Sequence, residues 1–119
     1  MTQKQNEKMA LEIIRYLQAH SMFTDVSLYL NGKRYSSSHH RGDTVKQTRY
    51  GVYYITNDVD VADYVEYFNR ETITMTFEGD LYELLNHGDG SVDNDINAIA
   101  DKYGLYFEQG NAWNLAFYQ

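Results

Sequence analysis

Apolar residues recur every third or fourth position early in the chain. Met9, Ala10, Ile13, Ile14 and Leu17 form one stripe, with Lys4, Lys8, Glu12 and Arg15 left for the opposite side. That spacing predicts a helix over 5–20 whose stripe covers a core. The period then shortens to two. Val26, Leu28 and Leu30 alternate with Ser27 and Tyr29, Asn31-Gly32 follows, and Lys33-Arg34-Tyr35-Ser36 returns. Asn-Gly between alternating runs predicts a β-hairpin, because both turn residues need positive φ. Residues 37–49 have no apolar period and are expected to form an exposed loop. A strand is expected over 50–56, with Val52 and Tyr54 on one side and Tyr53 and Ile55 on the other. Apolar residues on both sides suit a central strand.

Helix and strand patterns alternate in the second half. Val61, Tyr64, Val65 and Phe68 predict a short helix over 60–68, capped by Asn57 or Asp58. Residues 72–78 alternate strictly, which places Ile73, Met75 and Phe77 inside and Thr72, Thr74 and Thr76 outside. Asp80 is expected to cap a second short helix, with Glu83 in a capping-box variant, Leu81, Leu84 and Leu85 buried, and Gly88 and Gly90 at its end. A third, over 93–103, starts at Asp93, buries Ile96, Ile99, Ala100 and Tyr103, and stops at Gly104. Two last strands, 105–108 and 113–118, turn at Gln109-Gly110-Asn111. No repeat or internal boundary interrupts the chain. The expected fold is a single α+β domain over 1–119: about five mostly antiparallel strands, an N-terminal helix, and three short acidic helices packed on one face.

Composition supports a packed core, with twelve Tyr, five Phe and Trp113 among 119 residues. There is no cysteine, which excludes a disulfide scaffold, a thiolate metal site and a Cys nucleophile, and fits a reducing compartment. The polar stretch Met1–Lys8 does not resemble a signal peptide, and no apolar run approaches the ~20 residues of a membrane helix. A cytoplasmic protein without membrane association is expected.

Charge changes the picture more. Residues 1–56 hold eight Lys/Arg against four Asp/Glu, whereas residues 57–119 hold two against thirteen, within a chain of net charge −7. On the expected 60–68 helix, Asp60, Asp63 and Glu66 recur every third residue, about 4.5 Å apart along the axis. That is close to the ~3.4 Å repeat of phosphates along one nucleic-acid strand. Asp58, Asp80, Glu83, Asp93 and Asp95 extend the acidic surface, and Tyr67 and Tyr82 offer aromatic contacts beside it. Solvated helices ordinarily mix Lys with Glu, and these do not. A basic partner would relieve the self-repulsion.

Catalytic and metal chemistry find little support. Asp89, Asp93 and Asp95 suggest a calcium loop, but the required Gly and Glu fall on Asn94 and Ala100 in one register and on Ala98 and Gly104 in the other. His20, His39, His40 and His87 lack chelating spacing. Ser36-Ser37-Ser38 beside His39 lacks the strand–turn–helix context of a catalytic serine. Arg41-Gly42-Asp43 is read as a coincidental tripeptide. No catalytic residue, metal or cofactor is expected.

The leading expectation is therefore a non-enzymatic protein that occupies the basic groove of a nucleic-acid-binding nuclease or regulator as a nucleic-acid mimic. In size, acidity and lack of cysteine, though in no motif, the chain is similar to the anti-restriction and anti-CRISPR inhibitors of phages and mobile elements. In the alternative, Lys33, Arg34, Arg41, Lys46 and Arg49, with Tyr35 and Tyr50 for stacking, grip nucleic acid directly. About five phosphate contacts on a net acidic chain would bind weakly at physiological salt. A third reading docks the basic segment of one copy on the acidic surface of another, giving a homo-oligomer.

Overall fold

The first stripe forms helix α1 (Gln3–Ala19), and its five apolar residues are fully buried. Thr2 opens it with a reciprocal cap: its hydroxyl accepts from Gln5 N–H, and its own N–H donates to the Gln5 side chain. Strands β1 (Val26–Leu30) and β2 (Lys33–Ser36) form the expected hairpin, with Asn31 at φ 55° and Gly32 at φ 70°. A computed structural model describes residues 1–119 throughout.

The expected 37–49 loop contains a strand, β3 (Thr44–Thr48), which pairs along its length with β4 (Gly51–Thr56). It is an edge strand with polar residues on both sides, so backbone pairing holds it and no apolar alternation marks it. Gln18 at the end of α1 fastens this hairpin, donating to Val52 O at 2.9 Å and accepting from the Thr48 hydroxyl.

Strand β5 (Thr74–Phe77), helix α2 (Gly79–His87), helix α3 (Ser91–Asp101) and strands β6 (Tyr106–Asn111) and β7 (Asn114–Tyr118) complete the chain. Seven strands, not five, make one antiparallel sheet in the order β3-β4-β2-β1-β5-β7-β6, with three helices in all. Residues 26–56 therefore form one side of the sheet and 74–118 the other. The turn of the last hairpin falls at Ala112-Trp113, two residues beyond its expected place. Asp80 and Asp93 do not cap their helices; α2 follows Glu78 and α3 follows Gly90, whose φ of 89° suits glycine.

The helices cover one face, where Leu28, Met75, Phe77, Leu115 and Phe117 meet the α1 stripe, Leu81 and Ile96 in the main core. Leu84, expected inside, is exposed. The other face carries Tyr29, Arg34, Thr74 and Ala116 in register. Residues 57–71 cross it as a strap with a single 3-10 turn at Val61–Asp63, not as the helix expected over 60–68. Valine, tyrosine and phenylalanine are middling helix formers, and other bonds compete here. Asp60, not Asn57 or Asp58, caps the turn through Ala62 N–H. The Asn69 side chain donates to Phe117 O at 2.8 Å. Val61 and Val65 pack on Tyr29, so Thr72 and Thr74 are buried rather than outward-facing.

Helices α1 and α3 are joined by hydroxyls. Tyr103 donates to Glu12 at 2.6 Å, and Tyr16 donates to Asp95 at 2.7 Å. Burial, then the Glu12 hydrogen bond and charge, push the Tyr103 hydroxyl from 10.0 up to about 12. Burial and then Asp95 raise Tyr16 as well. A raised folded pKa adds stability that is complete below the unfolded pKa and lost as pH climbs through the folded one. Stability in urea is therefore expected to decline from pH 10.0 toward about 12. Tyr103→Phe should make that decline shallower, with Tyr16 still contributing; an unchanged alkaline slope in this variant would contradict the assignment.

Candidate functional site

The strap and the helices bring the acidic residues to opposite faces of the sheet. Asp58, Asp60, Asp63 and Glu66 belong to the strap, whereas Asp80, Glu83, Asp93 and Asp95 belong to α2 and α3. The expected single acidic face, with three acidic helices side by side, does not form. Asp58 and Asp60 lie beside the β1–β2 turn, where Val59 N–H donates to Gly32 O and Asp60 lines a cavity with Asn31 and Gly32. Tyr67 of the strap lies against Gly110, where an added Cβ would stand 2.6 Å from Asn114 Oδ1 and overlap the Tyr67 side chain. From the other face, Asn86 of α2 donates to Ala112 O at 2.6 Å and accepts from Gln109 at 3.3 Å. The acids are therefore spread over both faces of the sheet.

Their availability differs. Asp60 is engaged internally, bonded to the Arg70 guanidinium at 3.0 and 3.2 Å. The Ala62 N–H and then Arg70 hold its carboxyl below the usual range. Asp95 accepts from Tyr16, and Asp93 is half-buried. Asp58, Asp63, Glu66, Asp80 and Glu83 are exposed and make no ion pair. Tyr67 is exposed and Tyr82 half-buried.

Three of the basic residues gather at the β3 edge, whereas Lys33 lines the cavity that Asp60 also borders. Arg41, Lys46 and Arg49 are exposed on or beside β3, and Arg49 lies 5.1 Å from the Tyr50 ring centroid. Lys33 is half-buried. Two members of the expected nucleic-acid grip are inside. Tyr35 is buried and stacked 5.9 Å from Tyr53. Arg34 is 8% exposed, with its guanidinium 5.4 Å from the Tyr64 ring centroid. The Arg-Gly-Asp tripeptide has its carboxylate turned inward, where Asp43 accepts from His40 N–H and the Thr56 hydroxyl, each at 2.7 Å. Burial raises the Asp43 carboxyl, but the Thr56 and His40 bonds, and the charges of His40 and Arg34, outweigh it and hold it low.

Two cavities border the strap. One, of about 620 Å³, is lined by Asn6, Asn31, Asn69, Asp60 and Arg70 among others. The second, of about 370 Å³, lies on the strap's face of the sheet among Arg34, Ser27, Ser36, Tyr64 and Trp113. Sequence reasoning missed the second, although a signal was present. Arg34 and Ser36 alternate on one strand, opposite Tyr29 and Ser27 on the next, and such a polar set needs its own cover. No three His, Asp or Glu side chains converge in a way that could hold a metal ion. No helix is long and apolar enough to cross a membrane. The chain matches no protein-family model, and neither curated proteins nor solved structures show a match.

Proposed function

We propose that this is a non-enzymatic interaction protein whose exposed acidic residues enter the basic groove of a nucleic-acid-binding nuclease or regulator and keep nucleic acid out. One observation carries the reading. Of the Asp and Glu residues in 57–119, all but Asp93 are exposed, and only Asp60 is in an ion pair. Unpaired charge of one sign destabilises its own fold and steers oppositely charged partners toward it. The rival nucleic-acid grip is less well supported, since Arg34 and Tyr35 are withdrawn and only three exposed bases remain.

The test reverses Asp63, Glu66 and Glu83 to Lys, omitting Asp60 because of its bond to Arg70. Wild-type protein is expected to capture a basic nucleic-acid-binding protein from the source cell in a salt-sensitive manner, with duplex DNA competing. The triple variant should fold normally and associate on the order of a hundredfold more slowly at low salt. Undiminished capture by this variant sinks the proposal.

A further inference from the structure

We propose that the 370 Å³ pocket on the strap's face is a binding site for a small molecule with an oxyanion head, a carboxylate or a phosphate. The argument begins with unspent donors. Arg34 is 8% exposed, yet no carboxylate lies within 4.0 Å of its guanidinium. It makes one long bond, from Nη2 to Thr56 Oγ1 at 3.4 Å, and its Nε is buried without a partner. Asp43 offsets the charge only at one remove, through the Thr56 hydroxyl. Buried charges are ordinarily paired directly, so this one has capacity left for an anion.

Ser36 adds a second free donor. Its oxygen accepts from Ser27 at 3.3 Å and from Ser38 N–H at 3.1 Å, while its own hydroxyl proton donates to no protein group. Arg34 and Ser36 alternate on β2 and therefore face the same side, about 7 Å apart. The guanidinium's planar fork matches two oxygens of a carboxylate or phosphate.

The rest of the pocket limits the ligand. Its volume lies in the range of small-molecule sites. Tyr64 and Trp113, 48% and 40% exposed, line it and offer rings to an apolar or aromatic body. His40, Asp25 and Glu78 line it as well; the imidazole adds a polar group, and the two carboxylates, beyond the Ser27–Thr76 pair, repel further negative charge. A single anionic head is therefore favoured, and a polyanion such as nucleic acid is not.

Trp113 is the only tryptophan, so its fluorescence reports directly on the pocket. Titration with phenylacetate, phenyl phosphate, inorganic phosphate, neutral benzyl alcohol and a single-stranded oligonucleotide separates the cases. Phenylacetate or phenyl phosphate is expected to give a saturable change, and the stronger of the two identifies the head group. Arg34→Gln should weaken that binding at least tenfold. If this variant does not fold, Ser36→Ala and Tyr64→Ala take its place, and both should weaken binding several-fold. The proposal is overturned if neither aromatic anion binds by tens of millimolar. It is equally overturned if benzyl alcohol binds as well as they do, if only the oligonucleotide binds, or if the folded variants bind like wild type.

Discussion

Phe117→Ala is expected to lower the free energy of unfolding by about 3–5 kcal/mol, with the effect toward the upper end of that range. Phe117 is fully buried on β7 and meets Phe107 edge-on, with ring centroids 6.3 Å apart. The cost of a large-to-small change depends on how far the surroundings can close over the gap. Here the backbone around the gap is fixed. Phe117 N–H donates to Ile73 O, and its carbonyl accepts from Thr72 Oγ1 at 2.6 Å and Asn69 Nδ2 at 2.8 Å. The measurement is urea unfolding, with a reduced midpoint and an unchanged m-value. A loss below about 2 kcal/mol would mean that the core relaxes into the cavity after all.

Asn69→Ala is expected to cost about 2–3 kcal/mol, with a more local signature. The side chain donates to Phe117 O and accepts from Glu71 N–H, fixing the end of the strap on the sheet. At the other end, the Val59 N–H bond to Gly32 O, the Val61–Val65–Tyr29 contacts and the Tyr64 ring against Tyr29 and Arg34 hold it. Amide exchange should accelerate across 57–71 while α1 and β5 stay protected, since local opening follows the weakest attachments. Uniform acceleration throughout the chain would show that the strap and core unfold as one unit.

The strap also shows where the sequence was legible and where it was not. The α1 stripe and the Asn-Gly hairpin were readable because each is fixed by local forces: burial of one helix face in the first case and positive-φ turn chemistry in the second. Val61, Tyr64, Val65 and Phe68 have helical spacing too, but only Val61 and Val65 are buried. The segment's path is set by distant partners, among them Gly32 O, Tyr29 and the Phe117 carbonyl, and no local pattern records them. Strand β3 was missed because an edge strand with solvent around it needs no apolar alternation. Nothing in the 72–78 stretch itself announces the second layer that buries Thr72 and Thr74. The same omission concealed the pocket: Arg34 looked like a surface base until the chain laid Tyr64 across it.

The β1–β5 ladder is the only strand pairing between residues 26–56 and residues 74–118. The two segments meeting there come from chain halves of opposite net charge. During folding each side can build its own hairpins first, after which long-range attraction draws the unlike halves into register. Added salt should slow that docking more than it slows hairpin formation. A chain cut within the strap would leave two fragments able to find one another in solution, a self-recognition pair already sorted by sign.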